Sequence, residues 1–163
     1  MLNSVSSGEI GVPVAADLRI VAARAERERL PILLVFSALH CEYCKQLEEA
    51  FLEPMRRSGH YTDRIIIRKL HLDNGSRVID FTGRRVAATV LSDRYRVFVT
   101  PTILFLDAAG REVAERMVGI NTPEMFGGYL DECIATALHG VRRPGEPLRR
   151  NGCRLQRGNS GMH

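Results

Sequence analysis

Residues 32–36, Ile-Leu-Leu-Val-Phe, form a continuous apolar run. A run without polar alternation fits a strand buried on both faces, as at the centre of a helix-covered parallel sheet. Five residues on stands Cys41-Glu42-Tyr43-Cys44, at the start of a helical pattern carried by Leu47, Phe51 and Met55. A central strand running straight into a helix whose first turn holds two cysteines restricts the chain to an α/β layout. It also puts two sulfurs within reach of one another at an end of the sheet.

The rest of the chain extends that layout. Leu18, Val21, Ala22 and Ala25 make the stripe of a surface helix that Pro31 stops. Pro54 is expected to end or kink the helix after the cysteines, and Ser58-Gly59 closes it. Residues 65–72 read as a second strand, and Asp73-Asn74-Gly75-Ser76 as a turn. Residues 74–86 fit no regular period and read as an irregular insertion. A helix is expected over 86–96 and a strand over 103–106. Asp107-Ala108-Ala109-Gly110 then makes a hairpin turn, followed by a return strand over 112–118. Thr122-Pro123-Glu124 opens a last helix, with Thr122 as its cap and an apolar face of Phe126, Leu130, Ile134, Ala137 and Leu138. The order predicts a three-layer α/β/α domain with a mixed central sheet. Its expected bounds are 14–140, between a flexible lead-in over 1–13 and a basic tail without fixed structure over 141–163.

The sulfurs set the chemistry. A thiolate is the nucleophile in disulfide exchange, and an ordinary thiol is mostly protonated at neutral pH. Cys41, at a helix N-terminus, gains from unpaired N–H groups and the helix dipole. Cys44, one turn in, is more sheltered. Cys41 is therefore expected to attack and Cys44 to resolve. A protonated His40 would lower the Cys41 pKa, Glu42 would raise it, and Lys45 lies close enough to assist Cys44. The acid between the cysteines, beside Tyr43, favours a reductant over an oxidase or isomerase.

Other uses of the pair are open at this level. A CxxC is also half of a zinc site, but Cys133 and Cys153 are not paired in sequence and His40, His60 and His71 form no second knuckle. A non-catalytic module holding a soft metal such as Cu(I) is the alternative from another class; no metal is expected. Cys133 reads as a structural thiol of the last helix. Cys153 reads as an exposed, incidental one, able at most to link two chains or react with Cys41. The longest apolar run is too short for a membrane span. The tail over 141–163 holds six Arg and one Glu, net +5 against +4 for the whole chain, so the first 140 residues sum to −1. That tail has no aromatic residue and no surrounding module for nucleic acid. The first eight residues lack the basic start and apolar stretch of an export signal. Cytoplasm, or an export segment lost from the chain, fits the residues equally.

From about residue 15 to 139 the chain resembles the thioredoxin superfamily. Beyond CxxC, the resemblance rests on Arg68-Lys69-Leu70-His71-Leu72-Asp73, on Tyr95-Arg96-Val97-Phe98-Val99-Thr100-Pro101-Thr102, on Gly110 and Gly119, and on Tyr129-Leu130-Asp131. It implies a thioredoxin fold and a thiol-disulfide oxidoreductase whose redox group is the Cys41–Cys44 disulfide, with no other cofactor. It further implies a cis Pro101 facing the cysteines, with the Thr100 backbone exposed to pair with an extended partner segment. Expected partners are a disulfide-containing or dithiol protein and an upstream electron donor; a monomer is expected. The chain departs from the family at His40, where a Trp is usual, and at Val35, where a buried acid assists the second cysteine. Lys69, Glu42 or water is expected to substitute. The insertion over 74–86 and the stretches 36–41 and 51–54 look more like bacterial periplasmic members, including the kind found with sulfur-oxidation gene clusters. That likeness implies the periplasm, with the cytoplasm as the alternative.

Overall fold

In the computed structural model, which describes residues 11–146 and Cys153, the apolar run becomes β1 (Ile32–Ser37), buried at every position. It lies inside a four-stranded sheet of order β2-β1-β5-β6. β2 (Ile66–His71) runs parallel to β1, while β5 (Thr102–Leu106) runs antiparallel to it and β6 (Glu112–Val118) antiparallel to β5. The parallel β1–β2 step needs a crossover, supplied by α2 (Glu42–Leu47), a π-helical turn (Glu48–Leu52) and α3 (Glu53–Ser58). The antiparallel end is a hairpin. A mixed sheet follows from the two kinds of connection.

Side-chain alternation divides the core in two. Leu33, Val35, Ile65, Ile67, Ile103 and Phe105 face Leu47, Leu52, Phe126, Leu130 and Ile134, so α2 and α5 (Pro123–Arg142) cover this side. Ile32, Leu34, Phe36, Ile66, Leu70, Leu104 and Leu106 face the other way, against Leu18, Val21 and Ala25 of α1 (Leu18–Glu28) and Leu91 of α4 (Ala88–Arg94). The expected α/β/α layering with a mixed sheet is found. Pro54 does not end its helix. It has no N–H to give the preceding turn, which widens to the π form, and the helix continues to Ser58 before Gly59 at φ 73°.

Four expectations need correction. Residues 74–86 are not irregular: β3 (Arg77–Ile79) and β4 (Arg85–Ala87) pair as an antiparallel hairpin. Each strand has only three residues, too few for a period of two to register in sequence. Their turn is built on Asp80. Its Oδ1 accepts from the Thr82 N–H at 2.9 Å, the Thr82 hydroxyl at 2.7 Å and the Arg84 N–H at 2.9 Å, and its Oδ2 from Arg94 at 2.7 Å. Second, Thr122 is the N-cap of the last helix as expected, but its side chain makes no cap bond. Thr122 sits at φ 45° and its hydroxyl donates to the Asn121 carbonyl. Third, that helix runs past Gly140, because Arg142 reaches the carbonyls of Arg29 and Asp63, each at 3.2 Å, while Arg29 donates back to the Arg142 carbonyl at 2.7 Å.

Fourth, Cys133 and Cys153 are neither free nor incidental: they form a disulfide, Cα atoms 4.7 Å apart. Cys133 is buried on α5, and Cys153 packs on the same core near the Glu115 carbonyl of β6. The bond therefore ties Cys153 to the middle of α5. The expected unstructured tail otherwise lies outside the described residues, as do residues 1–10 of the expected flexible lead-in, whose last residues are packed: Val12 is buried and the Pro13 carbonyl accepts from the Lys69 N–H at 2.9 Å.

The inserted hairpin also reaches the β5–β6 turn. Gly110, at φ 82°, leaves room where a Cβ would come within 2.6 Å of the Phe81 ring, and its carbonyl accepts from the Tyr95 hydroxyl at 2.6 Å. Burial pushes that phenol up to about 12.

The Arg94 guanidinium and the Thr82 hydroxyl hold the Asp80 carboxyl well below the ordinary Asp range. A depressed carboxylate stabilises the fold at pH above its unfolded value near 4, and that contribution fades as pH falls further. Asp80→Ala is expected to cost about 2–3 kcal/mol at pH 7, in line with removal of a buried, multiply bonded carboxylate. Urea unfolding at pH 7 and pH 3 checks this: the gap between wild type and variant should narrow at pH 3.

Candidate functional site

The β1–α2 junction sits at one end of the sheet. Cys41 is the N-cap of α2, with φ −147° and ψ 106°, and its sulfur accepts the Cys44 N–H at 3.2 Å. An extended residue followed by helical ones places its side chain over the first free N–H groups, which is why a polarizable sulfur fits this position. Cys41 and Cys44 are disulfide-bonded, Cα atoms 5.2 Å apart. Cys41 is half-buried, whereas Cys44 is 4% exposed and packed under the helix.

The strand opposite brings the second element. The Thr100–Pro101 peptide bond is cis. Thr100 lies directly across from Cys41, its carbonyl oxygen 3.8 Å and its hydroxyl 3.7 Å from the Cys41 sulfur. The turn is tied down on both sides: Thr102 donates to the Val99 carbonyl at 2.6 Å, and the Gly119 N–H to the Pro101 carbonyl at 2.8 Å. Cys41, Cys44, Thr100 and Pro101, spread over sixty residues, thus form one site.

The other residues singled out by sequence behave differently. Glu42, Tyr43 and Lys45 project outward on α2, and their side chains make no hydrogen bond or ion pair among the described residues. His40 is exposed. Lys69 does not touch the cysteines. It stands beside Val35 in the β1–β2 register and pairs with Glu48, Nζ to Oε1 at 2.7 Å. That pair is mostly buried on the α2 side of the sheet, roofed by Gly11 and Val12, whose N–H also bonds Glu48 at 2.9 Å.

Three features were missed in sequence. Glu48 is one helical turn beyond Cys44, a spacing that does carry the signal. Asp73, read as a turn residue, accepts backbone N–H groups from Leu39 and His40. Those bonds, the Leu39 one foremost, hold its carboxyl below the ordinary Asp range. His71, the last residue of β2, is held below its usual value by burial and then by the Lys69 charge. The third is an exposed apolar rim of Leu39, Tyr43, Phe98 and Val99, with Phe98 78% exposed. A rim like this next to a reactive disulfide suits docking of another chain. Among the described residues, no three His, Cys, Asp or Glu side chains gather as a metal site, and no helix is long and apolar enough to cross a membrane.

Comparison with known proteins gives a consistent family. Residues 17–134 match the model of the thioredoxin-like domain. A thiol:disulfide interchange protein DsbD of Ralstonia nicotianae is 26% identical over 107 residues. That match spans 66% of this chain but 16% of that protein. Among solved structures, Fasciola hepatica thioredoxin aligns with TM-score 0.52 at 19% identity, over 76% of this chain and 97% of that one. A poplar thioredoxin h mutant aligns with TM-score 0.52 at 21% identity, over 77% and 84%. These two show the shared fold.

Proposed function

The chain belongs to the thioredoxin-like domain family, and from that premise we propose that it is a thiol-disulfide oxidoreductase acting as a reductase through Cys41 and Cys44. The observation that carries this reading is the unequal placement of the two sulfurs. Cys41 lies partly open at a helix N-terminus opposite the Thr100 carbonyl, while Cys44 is buried one turn in. In the dithiol form the Cys41 thiolate attacks one sulfur of a partner disulfide. A mixed disulfide forms and one partner thiolate leaves. Cys44, deprotonated, then attacks the Cys41 sulfur, closing Cys41–Cys44 and releasing the second partner thiol. Two electrons and two protons pass to the partner, and an upstream dithiol donor restores the pair. The redox group is this disulfide itself, with no other cofactor in the scheme.

Thr100 and Pro101 serve substrate binding: an extended partner segment pairs with the Thr100 backbone while its side chains rest on the apolar rim. His40, Glu42 and Lys45 modulate the sulfurs through charge at close range, and Tyr43 from the apolar rim beside them. Where relatives carry an acid, Val35 cannot move a proton. We assign that task to the Lys69–Glu48 pair, which shares the α2 side of the sheet with Val35. The Cys133–Cys153 disulfide supports an oxidising compartment, the periplasm of a bacterium, since such bonds are uncommon in reducing cytosol. The partners are a disulfide-bearing protein and its electron donor, met by a monomer.

The reduction potential tests direction. Equilibration in glutathione or dithiothreitol buffers, followed by trapping with an alkylating mass tag, is expected to place Cys41–Cys44 at about −270 to −230 mV, the reductase range. A value near −120 mV would make the protein an oxidant and overturn the assigned direction.

A further inference from the structure

The last rung between β1 and β2 is the Leu72 N–H to Ser37 carbonyl bond at 2.9 Å. Beyond it the strands part. One chain continues through Ala38, Leu39 and His40 into Cys41, and the other into the turn at Asp73. The Asp73 side chain takes over where the backbone pairing stops. Its two carboxylate oxygens lie 2.8 and 2.9 Å from the Leu39 nitrogen, and Oδ2 lies 3.2 Å from the His40 nitrogen. One acceptor group thus gathers two consecutive amides immediately before the cap residue.

We propose that Asp73 is a positioning residue for Cys41. By holding the Leu39 and His40 amides, it sets the direction from which the chain enters α2, and so keeps the Cys41 sulfur on the Cys44 N–H. It acts through the loop and never touches the partner. The proposal rests on Cys41 being the attacking sulfur. Two effects of the carboxylate oppose each other. Its grip on the loop favours the thiolate through the Cys44 N–H, while its negative charge disfavours it. The charge effect is small, because Asp73 is at the surface, where water and salt screen it. His40 on the loop, His71 and Lys69 on β2 and Glu48 on the π-helical turn are other titratable groups around this corner.

Replacing Asp73 in two ways separates the effects. Asp73→Ala removes the acceptor and the charge; Asp73→Asn removes the charge but keeps an oxygen for the amides. The measurement is the rate of iodoacetamide alkylation of Cys41 in the reduced protein from pH 4 to 10, located by peptide mass spectrometry. For Asp73→Ala the reactivity profile is expected to move up by about 0.5–1 pH unit, the effect of a weakened cap, slowing alkylation at pH 7 about three- to tenfold. Asp73→Asn should stay within about twofold of wild type, on the same arithmetic. Should Asp73→Ala not fold, Asp73→Ser, whose hydroxyl is too short to reach both amides, takes its place with the same expected shift. Coincident profiles for wild type and the Ala or Ser variant would overturn the proposal, even if the variant melts at lower temperature. A wild-type protein in which Cys44 is alkylated first would remove the underlying assignment of Cys41, and the proposal with it.

Discussion

Cys41→Ser is expected to abolish turnover of a protein disulfide such as that of insulin, by about 10³-fold or more, because a serine hydroxyl at neutral pH does not replace a thiolate as nucleophile. The loss should be chemical and not structural. Cys41 is half-buried at the mouth of the site, and a serine is itself a good N-cap, able to accept the Cys44 N–H that the sulfur now takes. The melting temperature of the reduced variant should therefore stay close to that of reduced wild type. Cys44→Ser behaves differently. It keeps the first step and loses the second, so the mixed disulfide on Cys41 accumulates and its partner can be identified after non-reducing gel separation. Equal residual turnover in the two variants, or a partner held on Cys44 in Cys41→Ser, would contradict the assigned roles. The same pair of variants separates redox chemistry from metal holding, since a module that only binds Cu(I) shows no turnover to lose.

The second large effect concerns the other disulfide. Replacing Cys133 with Ala and Cys153 with Ser together is expected to lower stability by about 3 kcal/mol, the loop-closure contribution for a segment of this length. For a domain of this size that corresponds to a fall of about 6–12 °C in Tm. Ala suits Cys133 because the site is 3% exposed and a serine hydroxyl there would be buried among Phe126, Leu130 and Met117 without a partner. In excess dithiothreitol, which opens Cys41–Cys44 in both proteins, wild type and the double variant should melt at the same temperature. The alkylation profile of Cys41 should be the same in both, because the clamp joins Cys153 to α5 while the cysteine pair is on the α2 turn. A double variant that melts with the wild type under oxidising conditions would mean that the Cys133–Cys153 link does not stabilise the fold.

The elements legible in sequence share one property: their signal is local. β1 announced itself by five apolar residues, α1 and α2 by one stripe each, and the β5–β6 turn by Asp107 and Gly110. The cysteine pair at the start of α2 was legible because a helix start is itself a chemical environment. Thr100 and Pro101 came from family resemblance and not from spacing, since nothing local in residues 100–102 says that they face residue 41. Features that depend on two distant segments meeting were not legible. The β3–β4 hairpin has strands too short for any period, and it is held by Arg94 reaching back to Asp80. Cys153 has no local mark that separates a tail thiol from one bonded to α5. Asp73 looked like an ordinary turn residue, because the amides it accepts lie more than thirty residues earlier.

By itself the sequence determined which groups are available and that they sit at an end of the sheet: a sulfur at a helix N-terminus, a second one turn in, and a buried strand leading to both. Hydrophobic period and helix-terminus electrostatics act over a few residues, so a linear reading captures them. Tertiary structure alone decided what surrounds those sulfurs. The Thr100 carbonyl opposite Cys41, the Asp73 grip on its loop, the Lys69–Glu48 pair on the α2 side of the sheet and the Cys133–Cys153 clamp all arise from strand order and helix packing. Those bring together groups whose separation along the chain carries no trace of their meeting.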